Sequence, residues 1–528
     1  MIKPEDNPTQ ACIFENIPRG VIERNGRRLT LEEQTMPAAA FMTGAAIRNS
    51  QMLSHSSSKI LLGTIDGQTE QRHGRDGRSD FHIRGGHLIG AGDDRHMITV
   101  AGSRGGKGRS VIVPTLLTYQ GSTLSADPKG ELASITARAR VEELGQEVYV
   151  TDPFKVARGF AATKRARFNP MAILKTDSAT IIEDAGLIAD ALVVPAEGGK
   201  DPHWDESARN FIEGLILHVA TLPHYRTRAH LATVRDLLAF KEEALATKGK
   251  GKPKTRLAAE MQENKALDGI VADAAEDFFA KPDDERGSVL STARRHMRFL
   301  SYPAIRESVS GHDFDLVDLK RKKISVFLCL PALRMGTCNR WLRLFVNLAL
   351  AAFEKEPKKP DPPVLMCLDE FAVLGHMKTI EDAAGQIAGF GVKLWPVIQD
   401  LGQLKTLYRD RWQTFMANAG TLQFFSNNDA FTLEWISKRL GTTSLIVGNK
   451  GEVGDKEQTS SGRLGRSWSV QTRELMTLEE IGRFFGRDDE LQRQLVLLAG
   501  YDPLILQRVK YDSHDAFKGL FDATSGQN

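Results

Sequence analysis

A glycine-rich stretch between a predicted strand and a predicted helix has the composition of a phosphate-binding loop. It reads Ala101-Gly102-Ser103-Arg104-Gly105-Gly106-Lys107-Gly108, and Arg109 follows it. Glycines let the backbone wrap a phosphate, and the free N–H groups at the start of the helix point towards it. Lys107 would then reach the β and γ phosphates of a nucleotide. The alternative is an ordinary glycine-rich turn that carries a surface lysine.

This stretch departs from the common phosphate-loop pattern G-x-x-x-x-G-K-[ST] at two positions. Ala101 stands where the first glycine belongs, and Gly108 replaces the hydroxyl residue that normally contacts Mg²⁺. The remaining positions fit the pattern, so this stretch is predicted to bind ATP. The residues expected to line that site are Gly102, Ser103, Arg104, Gly105, Gly106, Lys107, Gly108 and Arg109.

Two acidic residues, Asp369 and Glu370, follow an apolar run over residues 364–368. An aspartate at the end of a strand can hold Mg²⁺, and the next glutamate can polarise the water that attacks a γ-phosphate. The alternative is a strand that ends in a solvated acidic turn. Because parallel sheets bind ligands at the carboxyl ends of their strands, both motifs are expected at such ends.

Gln399 follows another apolar run, over residues 392–397. A glutamine at that strand end could sense the γ-phosphate and pass the signal onward, although an ordinary edge glutamine is the alternative. The predicted catalytic set is therefore Lys107, Asp369, Glu370 and Gln399, with Asp369 as the metal ligand.

The elements that must position these residues alternate between strand and helix. Short β-type runs at residues 97–100, 122–126 and 148–150 are separated by helical patterns, which predicts an α/β fold with a parallel sheet covered on both faces. Residues 178–310 lose the strand signal and read as an all-α block. The polar, glycine- and serine-rich residues 448–468 predict a loop.

Composition and charge exclude several classes of protein. The chain has 528 residues and a net charge of +3 from 70 basic and 67 acidic side chains, which is too balanced to indicate nucleic-acid binding by itself. Basic clusters at residues 248–254, 294–298 and 320–323 could contact DNA or could be solvated faces.

The four cysteines have no metal-ligand spacing and are expected to be reduced. No apolar run is long enough to span a bilayer, and we expect a cytoplasmic chain.

An ordered set of motifs resembles the type IV secretion coupling ATPases, the TraG-like group of the FtsK/HerA-like motors. The motifs are AGSRGGKGRSVIVP at 101–114, DPKGE at 127–131, FNPM at 168–171, WDESAR at 204–209, LDEFAVLG at 368–375, QDLGQL at 399–404 and QLVLLAG at 494–500. In this family a glycine after the loop lysine is common, so Gly108 fits.

The resemblance implies a RecA-like motor that hydrolyses ATP with Mg²⁺ and is interrupted by an all-α domain. We expect the motor over residues 59–177 and 311–528, the inserted all-α domain over 178–310, and a leader or docking segment over 1–58. The resemblance further implies homo-hexameric rings with ATP between subunits. Such a ring would select a relaxase–DNA complex, with single-stranded DNA, or a protein substrate, and deliver it to a type IV secretion channel.

Two departures from the family leave alternatives open. Family members usually begin with membrane helices, and they carry an arginine that is absent from residues 386–391. Arg411 and Arg439 are the candidates for its role towards a neighbouring subunit. A separate membrane-anchoring subunit could recruit the chain to the inner membrane through residues 1–58. The alternative functions are a HerA/FtsK-like translocase that acts away from any channel and a nucleotide-binding adaptor with little hydrolysis.

Overall fold

The computed structural model describes residues 39–73, 79–194, 202–239, 255–450 and 466–523, together with two short strands before residue 39. The chain divides into two compact units. The first combines Met1–Tyr119 with Val397–Gly519, and the second combines Gln120–Pro396 with Leu520–Asn528. The domain boundaries predicted from the sequence stay a prediction.

The strands, numbered in chain order, are β1 (Glu23–Arg24), β2 (Arg27–Arg28), β3 (Ile60–Ile65), β4 (Gln68–His73), β5 (Ser79–Arg84), β6 (His87–Ala91), β7 (His96–Ala101), β8 (Thr123–Asp127), β9 (Glu147–Thr151), β10 (Ile324–Cys329), β11 (Val364–Leu368), β12 (Val392–Ile398), β13 (Ala419–Phe425), β14 (Thr442–Lys450), β15 (Arg466–Glu474), β16 (Arg493–Leu498) and β17 (Leu504–Gln507).

The α-helices are α1 (Gly44–Asn49), α2 (Val113–Thr118), α3 (Glu131–Glu142), α4 (Ile181–Leu192), α5 (Pro202–Thr221), α6 (Leu231–Ala239), α7 (Arg256–Glu263), α8 (Ile270–Phe279), α9 (Asp283–His296), α10 (Pro303–Ser308), α11 (Asp318–Arg321), α12 (Ala332–Lys355), α13 (Lys378–Gln386), α14 (Leu401–Tyr408), α15 (Trp412–Asn418), α16 (Ala430–Leu440) and α17 (Leu478–Phe484). A π-helical turn, Gly108–Ile112, precedes α2.

The second unit contains an all-parallel arrangement of strands in the order β12-β11-β8-β10-β9. Strands β8, β10 and β11 are buried along their whole length, because helices such as α3 and α12 separate them in sequence and cover them. The parallel sheet predicted from the alternating pattern is confirmed here.

The first unit is partly antiparallel, which the sequence did not indicate. Its strands run β6-β3-β17-β16-β13-β7, and only β7 and β13, with the last residues of β12 beside β7, are parallel. Residues 499–503 are too short a connection for a crossover helix, so β16 and β17 must pair as a hairpin.

The described part of the segment between β9 and β10 contains helices and no strand. Its longest helix, α5, packs through Phe211, whose ring stacks on Phe278 of α8 with centroids 3.6 Å apart. Aromatic pairs of this kind stabilise the packing of the helices that carry them. The helical character predicted for residues 178–310 therefore agrees with the structure where it is described.

Two predictions fall partly outside the described residues. Within the predicted leader, residues 39–58 pack on the first unit: the Ala39 and Met42 N–H groups donate to the carbonyls of Thr442 and Pro503, each over 2.9 Å. The apolar residues proposed for docking, Cys12, Ile13, Phe14 and Ile17, lie outside the described residues.

The structure corrects both ends of the loop predicted over residues 448–468. Strands β14 and β15 pair as far as Lys450 and Arg466, so both ends of the predicted loop are strand, and residues 451–465 lie outside the description. Among the helices described, none combines the length and apolar composition that crossing a bilayer requires.

Candidate functional site

The glycine-rich loop lies in the first unit, at the carboxyl end of the buried strand β7. The backbone enters the left-handed region at Arg104, with φ 57°, and at Gly106, with φ 87°. The half-buried Lys107 is the last residue before the π-helical turn. The predicted strand–loop–helix arrangement is therefore present, and it places the first backbone N–H groups of a helix next to the loop.

Two glycines of the loop, Gly102 and Gly105, are required by close packing against the end of β13. A Cβ on Gly102 would collide with the carbonyl oxygen of Ser426, and a Cβ on Gly105 would lie 2.9 Å from Ser426 Cβ and from the Gly102 carbonyl oxygen. Gly108 faces open space. A backbone held this closely, without side chains, is the cradle that a phosphate group requires.

We expect Gly102→Ala to destabilise the protein by about 1–3 kcal/mol, because the new methyl group must displace the backbone at Ser426. Gly108→Ala is the matched variant, since no atom lies within 4 Å of its Cβ, and it should change the free energy of unfolding by less than about 0.5 kcal/mol. Urea unfolding of both variants measures the difference. Equal stability of the two variants would contradict the packing described here.

Two polar residues that the sequence analysis did not select lie at the same strand end. Ser426 Oγ and Asn427 Oδ1 are buried, and neither has a hydrogen-bond partner within the described residues. Ser426 is also left-handed, with φ 57°. Unpaired buried oxygens beside a glycine cradle fit a site whose ligand supplies the missing hydrogen bonds. The only local signal is the polar pair that directly follows the apolar strand β13.

Gln399 lies next to this strand end in the same unit. Its N–H donates to Gln403 Oε1 over 3.1 Å, and its carbonyl accepts from Asn427 Nδ2 over 3.4 Å. The hydrogen bond from Asn427 to Gln399 therefore connects the end of β13 to the end of β12. Asn427 directly follows Ser426, which packs against the glycine-rich loop. A role for Gln399 towards a nucleotide stays a prediction.

The Arg109 side chain anchors the start of the π-helical turn that follows the loop. Its guanidinium pairs with Asp512 and with Asp80, each at 2.8 Å, and both carboxylates are in the first unit. The pKa of Asp80 is held well below its usual range by hydrogen bonds from His82, Lys510 and Arg109. The predicted contact of Arg109 with nucleotide is untested, and its ion pairs give it a second role in anchoring the π-helical turn.

The acidic pair lies in the second unit, directly after β11. Asp369 Oδ1 accepts a hydrogen bond from the Glu370 N–H over 3.0 Å, and both residues are half-buried. Glu370 is left-handed, with φ 54°, a conformation that costs a non-glycine residue free energy and occurs often at functional sites. Arg343 of α12 donates to the carbonyls of Leu374 and His376 and so fixes the chain that follows.

Asp127, at the end of β8, is a third carboxyl group beside this pair. Strands β8 and β11 are paired through Ala126 and Leu368, and burial, with the charge of Asp369, raises the pKa of Asp127 to about 7. Its Oδ2 accepts from the Ala133 N–H over 2.9 Å. The sequence indicates Asp127 only as part of the DPKGE motif at residues 127–131, because the pairing of β8 with β11 is not visible in local sequence.

The raised pKa of Asp127 predicts a specific pH dependence of stability. The folded state holds a proton on this group up to about pH 7, whereas the unfolded chain releases it near pH 4, so Asp127 loses its stabilising effect as the pH rises between those values. The loss amounts to about 1.4 kcal/mol for each pH unit in this range.

We therefore expect Asp127→Asn to be more stable than the wild type at pH 8 and to lose that advantage at pH 5. Unfolding by urea with a metal chelator present measures this at both pH values. Ser125→Ala, on the same buried strand, is a control without a titrating group. A stability difference that does not change with pH would contradict the assignment.

The described basic clusters are largely occupied by contacts within the fold. Lys320 donates to the Phe353 carbonyl over 2.8 Å, Lys322 pairs with Asp318, and Arg295 pairs with Asp205. Lys320 is buried, whereas Lys322 and Arg295 stay exposed, so a contact of these clusters with DNA stays a prediction. The cluster at 248–254 lies outside the described residues. The three described cysteines are free thiols, as expected from their spacing.

Comparison with known proteins agrees with these motifs. Residues 47–523 match the family described as Type IV secretory system Conjugative DNA transfer. The chain is 26% identical over 456 residues to conjugal transfer protein TraG of Escherichia coli, covering 82% of this chain and 69% of that protein. It is 28% identical over 450 residues to protein VirD4 of Rhizobium radiobacter, covering 84% of this chain and 60% of that protein.

A solved structure with the same fold is that of the plasmid coupling protein TrwB in complex with ADP and Mg²⁺. It aligns with a TM-score of 0.55 and 15% sequence identity over 79% of this chain and 85% of that chain. At this identity the likeness shows the fold, and it confirms the predicted RecA-like α/β architecture. On the family match over residues 47–523, this chain belongs to the type IV secretion coupling proteins of conjugative DNA transfer.

Proposed function

We propose that this chain is an ATP-driven coupling protein that recruits a relaxase–DNA complex or a protein substrate and delivers it to a type IV secretion channel. The observation that carries the proposal is the glycine cradle after β7, where Gly102 and Gly105 pack against Ser426 too closely for any side chain. TrwB, which shares the fold, is solved in complex with ADP and Mg²⁺, and this supports the same ligands here.

In this proposal the glycine-rich loop and the acidic pair have distinct tasks. Lys107 and the backbone N–H groups of the loop hold the β and γ phosphates of ATP. Asp369 would supply a carboxylate oxygen to Mg²⁺, a ligand type that this ion prefers, and the ion would add positive charge next to the phosphates. The half-buried position of Asp369 at a strand end fits that role.

Glu370 accepts a hydrogen bond from the attacking water and takes its proton as the oxygen bonds to the γ-phosphorus. The bond from that phosphorus to the bridging oxygen breaks, which gives ADP and phosphate. Gln399, linked to the end of β13 through Asn427, is the group proposed to respond to the γ-phosphate. The left-handed backbone at Glu370 would set the direction in which its carboxylate projects.

The measurement that tests the proposal is ATP hydrolysis by the full chain with Mg²⁺, with and without single-stranded DNA. A motor predicts hydrolysis that DNA accelerates. ATP binding with no hydrolysis, with or without DNA, would favour the adaptor alternative and contradict the motor. A second observation separates the two kinds of motor. If DNA stimulates hydrolysis but no relaxase or channel genes lie near this gene in the genome, a translocase that acts away from secretion is favoured instead.

We also propose that nucleotide and DNA assemble the chain into a homo-hexamer. Arg411 and Arg439, both exposed on the first unit, are the candidates for reaching the nucleotide of a neighbouring subunit. A separate membrane-anchoring subunit, bound through residues 1–58, would bring the ring to the channel. Light scattering with ATP, Mg²⁺ and DNA tests the assembly, and a chain that stays monomeric with all three contradicts the ring.

A further inference from the structure

A short segment after β17 is attached to the glycine-rich loop at three points. Arg508 Nη1 donates to the Gly105 carbonyl over 2.9 Å, and the Tyr511 N–H donates to the Arg109 carbonyl over 3.1 Å. Asp512 then pairs with the Arg109 guanidinium at 2.8 Å. These attachments span the loop and the start of the π-helical turn. We call residues 508–512 the supporting segment.

Arg508 is the most buried residue among those of the supporting segment that make these contacts. Its side chain is almost inaccessible to solvent, its guanidinium lies 4.8 Å from the centre of the Phe425 ring, and it also donates to the carbonyls of Gln492 and Gly486 over 3.3 Å. Burial lowers the pKa of Arg508 to about 10, so the group is charged at neutral pH. A buried charge is tolerated only where hydrogen bonds satisfy it, and backbone carbonyls do so here.

The bond to Gly105 controls the direction of one backbone donor. In a trans peptide the carbonyl of one residue and the N–H of the next point in opposite directions. Fixing the Gly105 carbonyl therefore fixes the Gly106 N–H as well. Gly105 and Gly106 have no side chains of their own to hold this peptide, and Gly106 at φ 87° lies in a region that glycine leaves easily. An external anchor is therefore needed to keep the donors aligned.

We propose that Arg508 is a positioning residue for ATP binding, which acts through the Gly105 carbonyl to hold the phosphate-binding loop in its competent conformation, with Asp512 as a second anchor through Arg109. This inference rests on the proposed function, because it assumes that the loop binds ATP. It assigns to the hairpin of β16 and β17 a role in nucleotide affinity that its distance in sequence from the loop does not suggest.

The test compares Arg508→Gln and Arg508→Lys in the full chain with a matched control. Arg493→Gln removes a different arginine, on β16, which pairs with Asp489 at 2.7 Å and lies 3.6 Å over the Phe484 ring. For each variant the dissociation constant of a fluorescent ATP analogue with Mg²⁺ and the thermal midpoint are measured. Comparing the two readouts separates positioning of the loop from general stability.

We expect Arg508→Gln to weaken ATP binding by about tenfold to a hundredfold, since loss of a hydrogen bond from a charged group that holds a binding donor has an effect of this size. Arg508→Lys should restore part of the affinity, because it keeps the charge but loses the planar fork of donors. Arg493→Gln should lower the thermal midpoint and leave ATP affinity within about threefold of the wild type, a change of about 0.65 kcal/mol.

Wild-type ATP affinity in Arg508→Gln, or an equal loss of affinity in Arg493→Gln, would overturn the inference. If Arg508→Gln does not fold, Arg508→Lys and Asp512→Asn decide instead: weaker ATP binding in both supports the inference, and unchanged binding in either overturns it. A wild-type chain that binds no ATP contradicts the proposed function itself, whereas ATP binding that ignores Arg508 contradicts only this inference.

Discussion

Lys107→Ala is expected to reduce ATP affinity by at least about a hundredfold, because it removes the cation that holds the β and γ phosphates in the ground state. The loop itself should persist, since its shape depends on Gly102 and Gly105 against Ser426 and not on the lysine side chain. Equilibrium binding of a fluorescent ATP analogue with Mg²⁺ measures the loss.

Lys438→Ala is the matched control for this experiment. Lys438 is an exposed lysine on α16 of the same unit, so its removal changes the net charge equally without touching the loop. Its ATP affinity should equal that of the wild type. If Lys107→Ala also binds ATP as the wild type does, the loop is an ordinary turn and its assignment is wrong.

Glu370→Gln is expected to retain ATP binding and to slow hydrolysis by about 10²–10⁴-fold, the range found when a general base is removed. Glutamine has nearly the same shape as glutamate, so the left-handed backbone at this position and the bond from its N–H to Asp369 can remain. It cannot take a proton from water. The defect should therefore appear in kcat and not in the affinity for ATP.

Steady-state phosphate release and ATP binding are both needed to establish that separation. Glu434→Gln, an exposed glutamate on α16, serves as the control and should hydrolyse ATP at the wild-type rate. Wild-type turnover by Glu370→Gln would contradict the assignment of the acidic pair. Loss of binding in the same variant would place Glu370 in the ground-state contacts instead.

The positions of the main motifs could be predicted because they depend on local patterns. Each of β7, β11 and β12 is a short, largely apolar run that is followed directly by one of these motifs, and a buried parallel strand needs such a run. The helical character of residues 178–310 was equally visible. In both cases the periodicity of apolar residues and the position of glycine were sufficient.

Features that depend on pairing between distant segments were not visible in the sequence. Ser426 and Asn427 are an ordinary polar pair until β13 is paired with β7, and Asp127 is an ordinary turn residue until β8 lies beside β11. The strands β14 and β15 are rich in polar residues, so the loop predicted over 448–468 included strand residues at both ends. Arg508 reaches Gly105 only through the antiparallel hairpin.

Plasmid transfer between cells tests the central claim most directly. A donor strain that lacks this gene would be supplied with the wild-type chain or with Lys107→Ala, and transfer frequency to a recipient would be counted. The account predicts that the wild-type chain restores transfer and that Lys107→Ala does not, at equal protein levels. Transfer that is unaffected by loss of the gene, or that Lys107→Ala restores fully, would contradict an ATP-driven coupling role.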